Sequence, residues 1–384
     1  MHIHTTSASD TIYKIARQYS VQPTKILEDN GLLSDRLAVG EELLILTPTR
    51  TATVRGTETL TSVAQRFGIK KNTLIANNPS LCGKEKVRPG QILSVKFDTP
   101  PLGVASAVGF LNKSCTAGKL RRTLPYLTYV ISEAMEISDG GVRRHFDDSV
   151  LRQSLNRSGK ISLIGFSDTT AGAFLTGDLE KLICDMIALA KTDGFRGIYI
   201  CAGEAMLKYP NEFSSFMLNL RKQLIGCDLI LFAAGYKGSN YEICDIADGA
   251  ILFAKIGEEE EICAYSEIAE SSKAFISTET LAKSECGFME ICDALKIAER
   301  RGIKIEKTED KLCTYSFNKY TRGKREPCSV SFPSLEKVKS RLELGSEAGF
   351  LGVAFDIATV PTSYLSLFNV CFARADYSLA GLEE

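Results

Sequence analysis

A sequence pattern that occurs twice in the amino-terminal part constrains the fold more than any other feature of the chain. Residues 10–19 read DTIYKIARQY, and residues 58–67 repeat the pattern as ETLTSVAQRF. Each copy continues with a second stretch of helical periodicity that ends in Asn, followed by a Gly turn and an apolar strand. The pattern predicts two small βααβ domains, over residues 1–48 and 50–97, with Thr11 and Thr59 as the caps of their first helices.

The two copies resemble LysM modules over residues 2–47 and 51–96. The resemblance implies binding to the N-acetylglucosamine backbone of peptidoglycan or of a chitin-like glycan, in a shallow groove between the loop before the first helix and the loop after the second. Backbone amides and small apolar contacts suit an acetamido group, whose carbonyl accepts a hydrogen bond and whose methyl is buried. The groove positions that the resemblance implies are Asp10, Thr11, Ile12, Asn30, Gly31 and Leu32 in the first copy, and Thr59, Leu60, Asn78 and Pro79 in the second.

Both copies depart from the family pattern at the start of the groove. Ser9-Asp10 and Thr57-Glu58 stand where the family usually has Gly-Asp, so we expect weaker affinity in each copy. Two weakly binding grooves on one chain suffice for strong attachment, because once the first is occupied the second binds its site intramolecularly at a high effective concentration. The alternative is that the Thr caps and Asn turns only stabilise a small helical unit.

The rest of the chain alternates short apolar strands with longer helical patterns. A length of 384 residues predicts two or three domains, and about 280 residues remain after Thr99-Pro100-Pro101, the size of one α/β barrel. Eight strand–helix units predict an α/β fold, a closed (β/α)8 TIM-type barrel over residues 102–384. Residues 311–332, around Arg322-Gly323-Lys324, predict a small inserted β-hairpin. The predicted strands are 104–110, 127–134, 161–166, 197–201, 229–233, 250–254, 274–277 and 352–356, and the predicted helices include 179–191, 212–224, 288–301 and 335–347.

Several segments of this region are similar to glycoside hydrolase family 18 barrels. They are LPYLTY at 124–129, AKTDGFRGIYI at 190–200, Ala247-Asp248, FPSL at 332–335 and GFLGV at 349–353. Together with the two LysM-like copies, they resemble the spore-associated group that cleaves peptidoglycan cortex fragments as N-acetylglucosaminidases. The resemblance implies a barrel whose active site lies at the carboxyl ends of its strands.

The catalytic positions that the resemblance implies carry no carboxylate. Enzymes of this family use the substrate's own acetamido oxygen as the nucleophile, with a Glu as general acid and an Asp two residues earlier on the fourth strand. These positions match Gly203 and Cys201, and Glu204 stands one residue late. Since a one-residue slip turns a strand side chain to the other face, and loss of a general acid costs about 10²–10⁴-fold in rate, we expect a barrel that no longer hydrolyses glycosides.

The aromatic positions of the family are also replaced. Phe253-Ala254-Lys255 matches the Met-x-Tyr of the sixth strand, Asp356 matches the Trp of the eighth, and Phe110 and Asn112 match tyrosines of the first. The chain contains no Trp at all. The sequence therefore predicts that most of the ring wall around the sugar is gone.

Charged residues are predicted at the ends of the barrel strands instead. Residues at the carboxyl ends of barrel strands usually form the active site. Glu204, Lys255 and Asp356 are therefore candidates for binding a sugar or a peptide stem, or for a new chemistry. The alternative is that the charges pair with one another. His145 and the acidic run Glu258–Glu261 are predicted to lie in solvated loops, with a cation or basic partner as the alternative for the run. The full set of charged candidates is Glu133, Glu136, Glu204, Lys237, Lys255 and Asp356.

Composition narrows the classes of partner. Lys and Arg number 46 against 47 Asp and Glu, which argues against a nucleic-acid partner, and no apolar stretch reaches the length that predicts a membrane span. The twelve cysteines form no C-x-x-C pair, so we expect reduced thiols, no zinc site and no metal or organic cofactor. The start lacks a signal-peptide pattern. By resemblance, we expect synthesis in the cytoplasm, in the mother cell, and delivery to the spore cortex, the coat or the cell wall.

Three functional hypotheses follow. The first is a non-catalytic cell-wall or spore-cortex binding protein, in which the barrel is a scaffold or a weak glycan-binding lectin. The second is an active peptidoglycan N-acetylglucosaminidase that uses Glu204 as general acid in a shifted geometry. The third is an interaction protein, in which the barrel contacts spore coat or cortex proteins.

Overall fold

A computed structural model describes residues 1–374 apart from 85, 98, 139–140, 169–171, 176 and 322–323. The α-helices are α1 Ile12–Gln18, α2 Pro23–Asn30, α3 Leu60–Arg66, α4 Lys71–Ala76, α5 Ala117–Thr123, α6 Ser149–Asn156, α7 Leu179–Thr192, α8 Gly203–Lys208, α9 Pro210–Ile225, α10 Glu242–Asp245, α11 Glu260–Ile268, α12 Ile291–Arg301, α13 Leu335–Glu347 and α14 Thr362–Cys371. The strands are β1 His2–Thr5, β2 Glu42–Ile45, β3 Pro48–Thr53, β4 Ile92–Phe97, β5 Gly103–Leu111, β6 Tyr129–Ser138, β7 Gly141–Arg144, β8 Ile161–Asp168, β9 Gly197–Cys201, β10 Ile230–Tyr236, β11 Gly249–Phe253, β12 Ala274–Ser277, β13 Leu281–Ser284, β14 Gly287–Glu290, β15 Glu306–Lys307, β16 Leu312–Thr321, β17 Lys324–Pro333, β18 Gly352–Asp356 and β19 Phe372–Arg374.

The two amino-terminal repeats fold as separate βααβ units. β1 pairs with β2 and β3 pairs with β4, each time antiparallel. The Thr11 hydroxyl accepts from the Lys14 amide, and Thr59 forms a reciprocal capping box with Ser62. Both predicted caps are therefore confirmed, and each unit closes around its own small apolar core.

The remaining chain forms the predicted barrel. Eight parallel strands follow one another in the order β5, β6, β8, β9, β10, β11, β12 and β18, and the pairing of β18 with β5 closes the ring. Alternate side chains of these strands fill the interior, with Tyr129, Phe232 and Phe275 in mutual ring contact at its base. The (β/α)8 architecture is thus confirmed. None of the described helices is long and apolar enough to cross a lipid bilayer.

The insertion after the seventh barrel strand is larger than the predicted hairpin. β16 and β17 do pair as a hairpin, but they belong to a five-stranded antiparallel sheet in the order β14, β13, β17, β16, β15. The helix predicted from Phe288 begins only at Ile291, because Phe288 belongs to β14. Arg322 and Gly323, in the predicted turn, lie outside the described residues.

Both βααβ units are seated directly on the barrel. The left-handed Gly31 at the end of α2 (φ +66°) lies so close to α14 that a Cβ there would stand 2.6 Å from the Thr362 hydroxyl oxygen. In the second unit, the Ala76 carbonyl accepts from the Tyr126 hydroxyl at 3.1 Å, and the Asn77 side-chain oxygen accepts from the Asn369 amide at 2.8 Å. The linker at residues 99–101 therefore joins domains that already share packed surfaces.

Candidate functional site

The carboxyl ends of the eight parallel strands meet at one end of the barrel, which we call the mouth. Strand side chains alternate between the interior and the surrounding helices, so the last inward residue of each strand faces the mouth. Six residues form this last layer around a common centre: Asn112, Glu133, Cys201, Tyr236, Phe253 and Asp356.

The fourth barrel strand brings a thiol and a bare backbone to the mouth. Cys201 ends β9 with its sulfur 2.9 Å from the Tyr236 hydroxyl oxygen, and burial raises the pKa of its thiol. A Cβ at Gly203 would lie only 2.8 Å from the Tyr236 ring. The ring thus occupies the space that any side chain at position 203 would need.

Glu204 does not join this cluster. It lies in the first turn of α8, its side chain is 68% exposed, and its carboxylate pairs with Lys208 at 3.2 Å. An exposed ion pair of this kind is screened by water and contributes little energy. The structure therefore places Glu204 at the solvent surface of the helix and not beside Cys201 and Tyr236.

Glu133 is the carboxyl group that does reach the mouth. It follows Tyr129 and Ile131 on the inward face of β6, just where the strand bulges between Ser132 and Met135. Burial, and then the negative charge of Asp356, raise the pKa of Glu133 to about 7. Within the described part of the chain its carboxyl has no hydrogen-bond or ion-pair partner, which leaves a half-buried acid able to donate to a ligand.

Asp356, across the mouth, is held in place as an acceptor. One carboxylate oxygen accepts from the Asn112 amide at 2.8 Å, and the other accepts from the Ala358 backbone N–H at 2.7 Å. The mouth therefore combines a fixed acceptor with the unpartnered acid of Glu133.

Aromatic rings also line the mouth, contrary to the prediction that most of the ring wall is gone. Tyr236 stacks on Phe253 with ring centroids 5.1 Å apart and planes 12° apart, and Phe253 lies 5.8 Å from Phe110. Sequence reasoning missed Tyr236 because it ended the fifth strand at Ala233, whereas β10 continues to Tyr236. The alternation of inward residues at 230, 232, 234 and 236 is the signal that could have found it.

The other charged candidates do not pair with one another among the described residues. Glu136 pairs with Arg143 at 2.9 Å, and Lys255 is exposed after β11. Lys237 lies 3.5–3.9 Å from carboxylates of the acidic run Glu258–Glu261. The alternative that the strand-end charges pair with each other is therefore wrong, and the acidic run is the predicted loop only at Glu258 and Glu259.

The acidic run and His145 were also candidates in the sequence. The last two residues of the acidic run, Glu260 and Glu261, begin helix α11. His145 lies exposed between β7 and α6, as predicted. Within the described ranges, no three His, Cys, Asp or Glu side chains are grouped as metal ligands would be.

The two Asn residues predicted for the glycan grooves are used inside the fold. The Asn30 amide donates to the Ile26 and Leu44 carbonyls, and its oxygen accepts from the Leu44 N–H. Asn78 repeats these three bonds with Leu74 and Ser94. Each Asn thus ties the end of the second helix to the last strand of its unit, and its amide has little left for a ligand.

Most of the other groove candidates also have structural roles, and two lie at the loop surface. Asp10 accepts from the Ser7 N–H and hydroxyl, and Thr11 and Thr59 cap helices. Ile12, Leu60 and Pro79 are buried. Gly31 is exposed and Leu32 half-buried at the loop surface, so a ligand at this loop meets mainly backbone and apolar surface. Their role in glycan binding remains a prediction.

Comparison with known proteins identifies the amino-terminal units. The LysM domain family matches residues 4–46 and 52–96. The "Cell wall-binding protein YocH" of Bacillus subtilis is 34% identical over 97 residues, 24% of this chain and 33% of YocH. The "Putative sporulation-specific glycosylase YdhD" of the same organism is 22% identical over 235 residues, 58% of this chain and 56% of YdhD. This chain thus spans about half of one curated relative and a third of the other.

One solved structure matches nearly the whole chain, and another matches about two thirds of it. The spore cortex-lytic enzyme SleL of Bacillus megaterium superposes with a TM-score of 0.75 at 16% identity, covering 98% of this chain and 99% of SleL. A chitinase of Chromobacterium violaceum superposes with a TM-score of 0.62 at 14% identity, covering 70% of this chain and 99% of the chitinase. At such identities the likeness establishes the fold: two LysM domains followed by a barrel of the type found in SleL and in chitinases.

Proposed function

We propose that this chain, which carries two LysM domains on a SleL-like barrel, is a cell-wall-binding protein that does not hydrolyse glycans. Its ligand is an N-acetylglucosamine-containing glycan such as peptidoglycan, bound by the LysM domains. The LysM match and the likeness to a protein named for cell-wall binding support the ligand. The barrel serves as a scaffold or as a weak lectin.

One observation carries the loss of hydrolysis. Cys201 ends the fourth barrel strand and Gly203 begins α8 just after it, and the Tyr236 ring fills the space beside them. A general acid in a glycosidase must reach the leaving-group oxygen within hydrogen-bond distance. No carboxyl group can do so from position 203 while Tyr236 keeps its place.

We also propose that the protein acts at the spore cortex, the spore coat or the cell wall. The support is the likeness to the protein named "Putative sporulation-specific glycosylase YdhD" and to the spore cortex-lytic enzyme SleL. Fluorescent fusions in sporulating cells test this location, and a signal that stays diffuse through sporulation would contradict it.

The test of function combines binding with turnover. The full chain is incubated with purified sacculi, and with chitotriose and cortex muropeptides, and the products are followed by mass spectrometry. We expect the chain to sediment with sacculi and to release no sugar. Measurable turnover by the purified parent chain would overturn the loss of hydrolysis, and absence from the sacculus pellet would overturn the binding function.

A second candidate function, hydrolysis from a different strand, is favoured by the unpartnered acid Glu133. In that reaction the Glu133 carboxyl donates its proton to the glycosidic oxygen as the bond from C1 to this oxygen breaks. The substrate's acetamido oxygen attacks C1, and water then opens the cyclic intermediate and returns a proton to Glu133. A carboxyl group with its pKa near 7 is suited to this exchange.

Two matched variants separate the catalytic alternatives. If the parent chain shows turnover, the second candidate function predicts that the Glu133→Gln variant is inactive. It also predicts that the Glu204→Gln variant works at the parent rate. The opposite result would assign the acid to Glu204, in the shifted geometry that the sequence suggested. Both substitutions exchange a carboxyl for an amide of the same size, so a change in packing does not confuse the comparison.

A further inference from the structure

A cavity of about 310 Å³ lies between the first LysM domain and the barrel. On the LysM side it is bordered by the loop that follows α2, including Gly31 and Leu32, and on the barrel side by α5, α12 and the segment between β18 and α14. This volume is at the lower end of the range in which small-molecule sites are found. The lining residues used below are Leu33, Arg36, Lys119, Arg122, Lys296 and Pro361.

The walls of this cavity are fixed by packing. Gly31 lies against Thr362, and the Ile305 N–H donates to the Val39 carbonyl at 2.8 Å, which joins the far side of the LysM loop to the barrel insertion. The cavity is therefore preformed, and a ligand that enters it does not bear the cost of ordering a loop.

Each side of the cavity has an apolar residue at its edge. The Leu33 side chain is 93% exposed although it stands at the edge of a folded domain, and Pro361 lies on the opposite wall. Small apolar surfaces of this kind pack against the methyl groups and the apolar faces of N-acetylated sugars.

The lining carries four cations, Arg36, Lys119, Arg122 and Lys296, against three carboxylates, Glu41, Glu290 and Glu299. Lys119 is paired with Glu290 at 2.7 Å and Lys296 with Asp293 at 2.9 Å, while Arg36 lies 3.8 Å from Glu299. Arg122 is exposed and has no carboxylate partner within the described part of the chain. An arginine fork that is free in this way offers paired donors to an incoming carboxylate.

We propose that this cavity is a binding subsite for a carboxylate carried by an N-acetylated glycan, with Arg122 as its main contact. The chemistry is that of peptidoglycan, in which a carboxylate is carried either by a lactyl group without a peptide or by the attached peptide, and not that of uncharged chitin. The inference rests on the proposed glycan-binding function. It adds that the first LysM domain and the barrel select the ligand jointly, since Gly31 and Leu32 border both the predicted groove and the cavity.

Calorimetric titration of the full chain with two ligands tests the subsite. One ligand is chitotetraose, and the other is a muropeptide tetrasaccharide with free peptide carboxylates. We expect the parent chain to bind the muropeptide more tightly, and Arg122→Gln to weaken that binding by roughly tenfold, the size expected for one charged hydrogen bond. The affinity of the Arg122→Gln variant for chitotetraose is expected to equal that of the parent chain.

Two further variants sharpen the experiment. Arg121→Gln, the adjacent position of α5 and outside the cavity lining, is the matched control and should retain the parent preference. Leu33→Glu places a carboxylate at the cavity edge and removes an apolar contact available to both glycans, so it should weaken binding of the muropeptide more than binding of chitotetraose. Raising the salt concentration should shrink the preference of the parent chain.

The outcomes distinguish the two proposals. Equal binding of both glycans by the parent chain, or an Arg122→Gln variant that keeps the muropeptide preference, overturns the subsite and leaves the glycan-binding function in place. Failure of the parent chain to bind either glycan overturns the glycan-binding function and the subsite with it.

Discussion

Single residues decide what the barrel mouth can do. The sequence allowed Cys201 to be placed on the fourth strand, but the strand ends there and Gly203 begins α8. The sequence could not reveal that the Tyr236 ring fills the space beside Gly203, because this contact depends on where β10 ends. Nor could it reveal that Glu133 would be half-buried in the mouth without a partner among the described residues, since burial depends on all eight strands together.

Gly203→Ala is expected to lower the free energy of unfolding by about 1–3 kcal/mol, because its Cβ would stand 2.8 Å from the Tyr236 ring. In a Tyr236→Leu background the same change should be neutral, or stabilising by up to about 1 kcal/mol, since Ala is the better helix former at the start of α8. Denaturant unfolding of the four proteins measures this coupling. Equal effects of Gly203→Ala in both backgrounds would show that the ring does not restrict position 203.

Glu133 predicts a pH dependence of stability. Its pKa rises from 4.5 to about 7 on folding, so the folded state binds more protons than the unfolded state in this window, and stability falls as pH increases from about 4.5 to about 7. Glu133→Gln removes this loss, so relative to the parent protein it should gain up to about 3 kcal/mol between pH 4.5 and pH 8. Urea unfolding across this range measures the gain, and Glu204→Gln, which removes an exposed carboxylate, should follow the parent profile.

At the scale of elements, the LysM units show that a residue predicted for the glycan groove also has a structural role inside the fold. The Asn at the end of the second helix recurs in both copies, and the repeat made it a groove candidate. The structure shows its amide joining helix to strand through three hydrogen bonds in each unit. Sequence alone could not separate these roles, because both need a polar side chain at the same turn.

Asn78→Ala tests the role in the fold. It would leave the Ser94 N–H and carbonyl buried without their partner, at a cost of about 1–3 kcal/mol for each unsatisfied group. We therefore expect a clear loss of thermal stability in the second LysM domain. Asn72→Ala, at an exposed position of α4, is the control and should unfold like the parent. If the Asn78→Ala variant is as stable as the parent but binds glycan poorly, Asn78 contacts the ligand and does not stabilise the domain.

The barrel strands were more predictable than the insertion for a physical reason. Each barrel strand is buried on both faces, so it reads as a short apolar run between turns. β13 and β14 have four residues each, LAKS and GFME, and lie largely at the surface. Their pattern has too few apolar positions to distinguish a strand from the start of the following helix.

At the scale of the whole molecule, a buried ion pair links the two LysM domains. Lys25 on α2 pairs with Asp29 at 2.6 Å and also donates to the Asn77 carbonyl of the second domain at 2.8 Å. Burial raises the pKa of Asp29 to about 7 even though Lys25 opposes the rise. No sequence pattern predicted this contact, because it depends on how the two domains are seated.

Lys25→Met is expected to destabilise the protein by about 3–5 kcal/mol at pH 8, because Asp29 would then be buried without its counter-ion. The loss should be smaller at pH 5, where Asp29 is protonated. The double variant Lys25→Met/Asp29→Leu should recover much of the stability, since apolar groups replace both charges. Thermal unfolding at the two pH values measures these differences, and a loss independent of pH would contradict the role given to Asp29.

The seating of both LysM domains on the barrel has a consequence for target choice. Because both domains pack against the barrel, the distance between the loops predicted to contact glycan is set by the fold. Under the proposed function, two points on one glycan strand are held at once only if their separation matches this distance; otherwise one domain stays empty and the gain from double attachment is lost. The proposed binding therefore depends on how closely and regularly the sugars are displayed, and not only on which sugars they are.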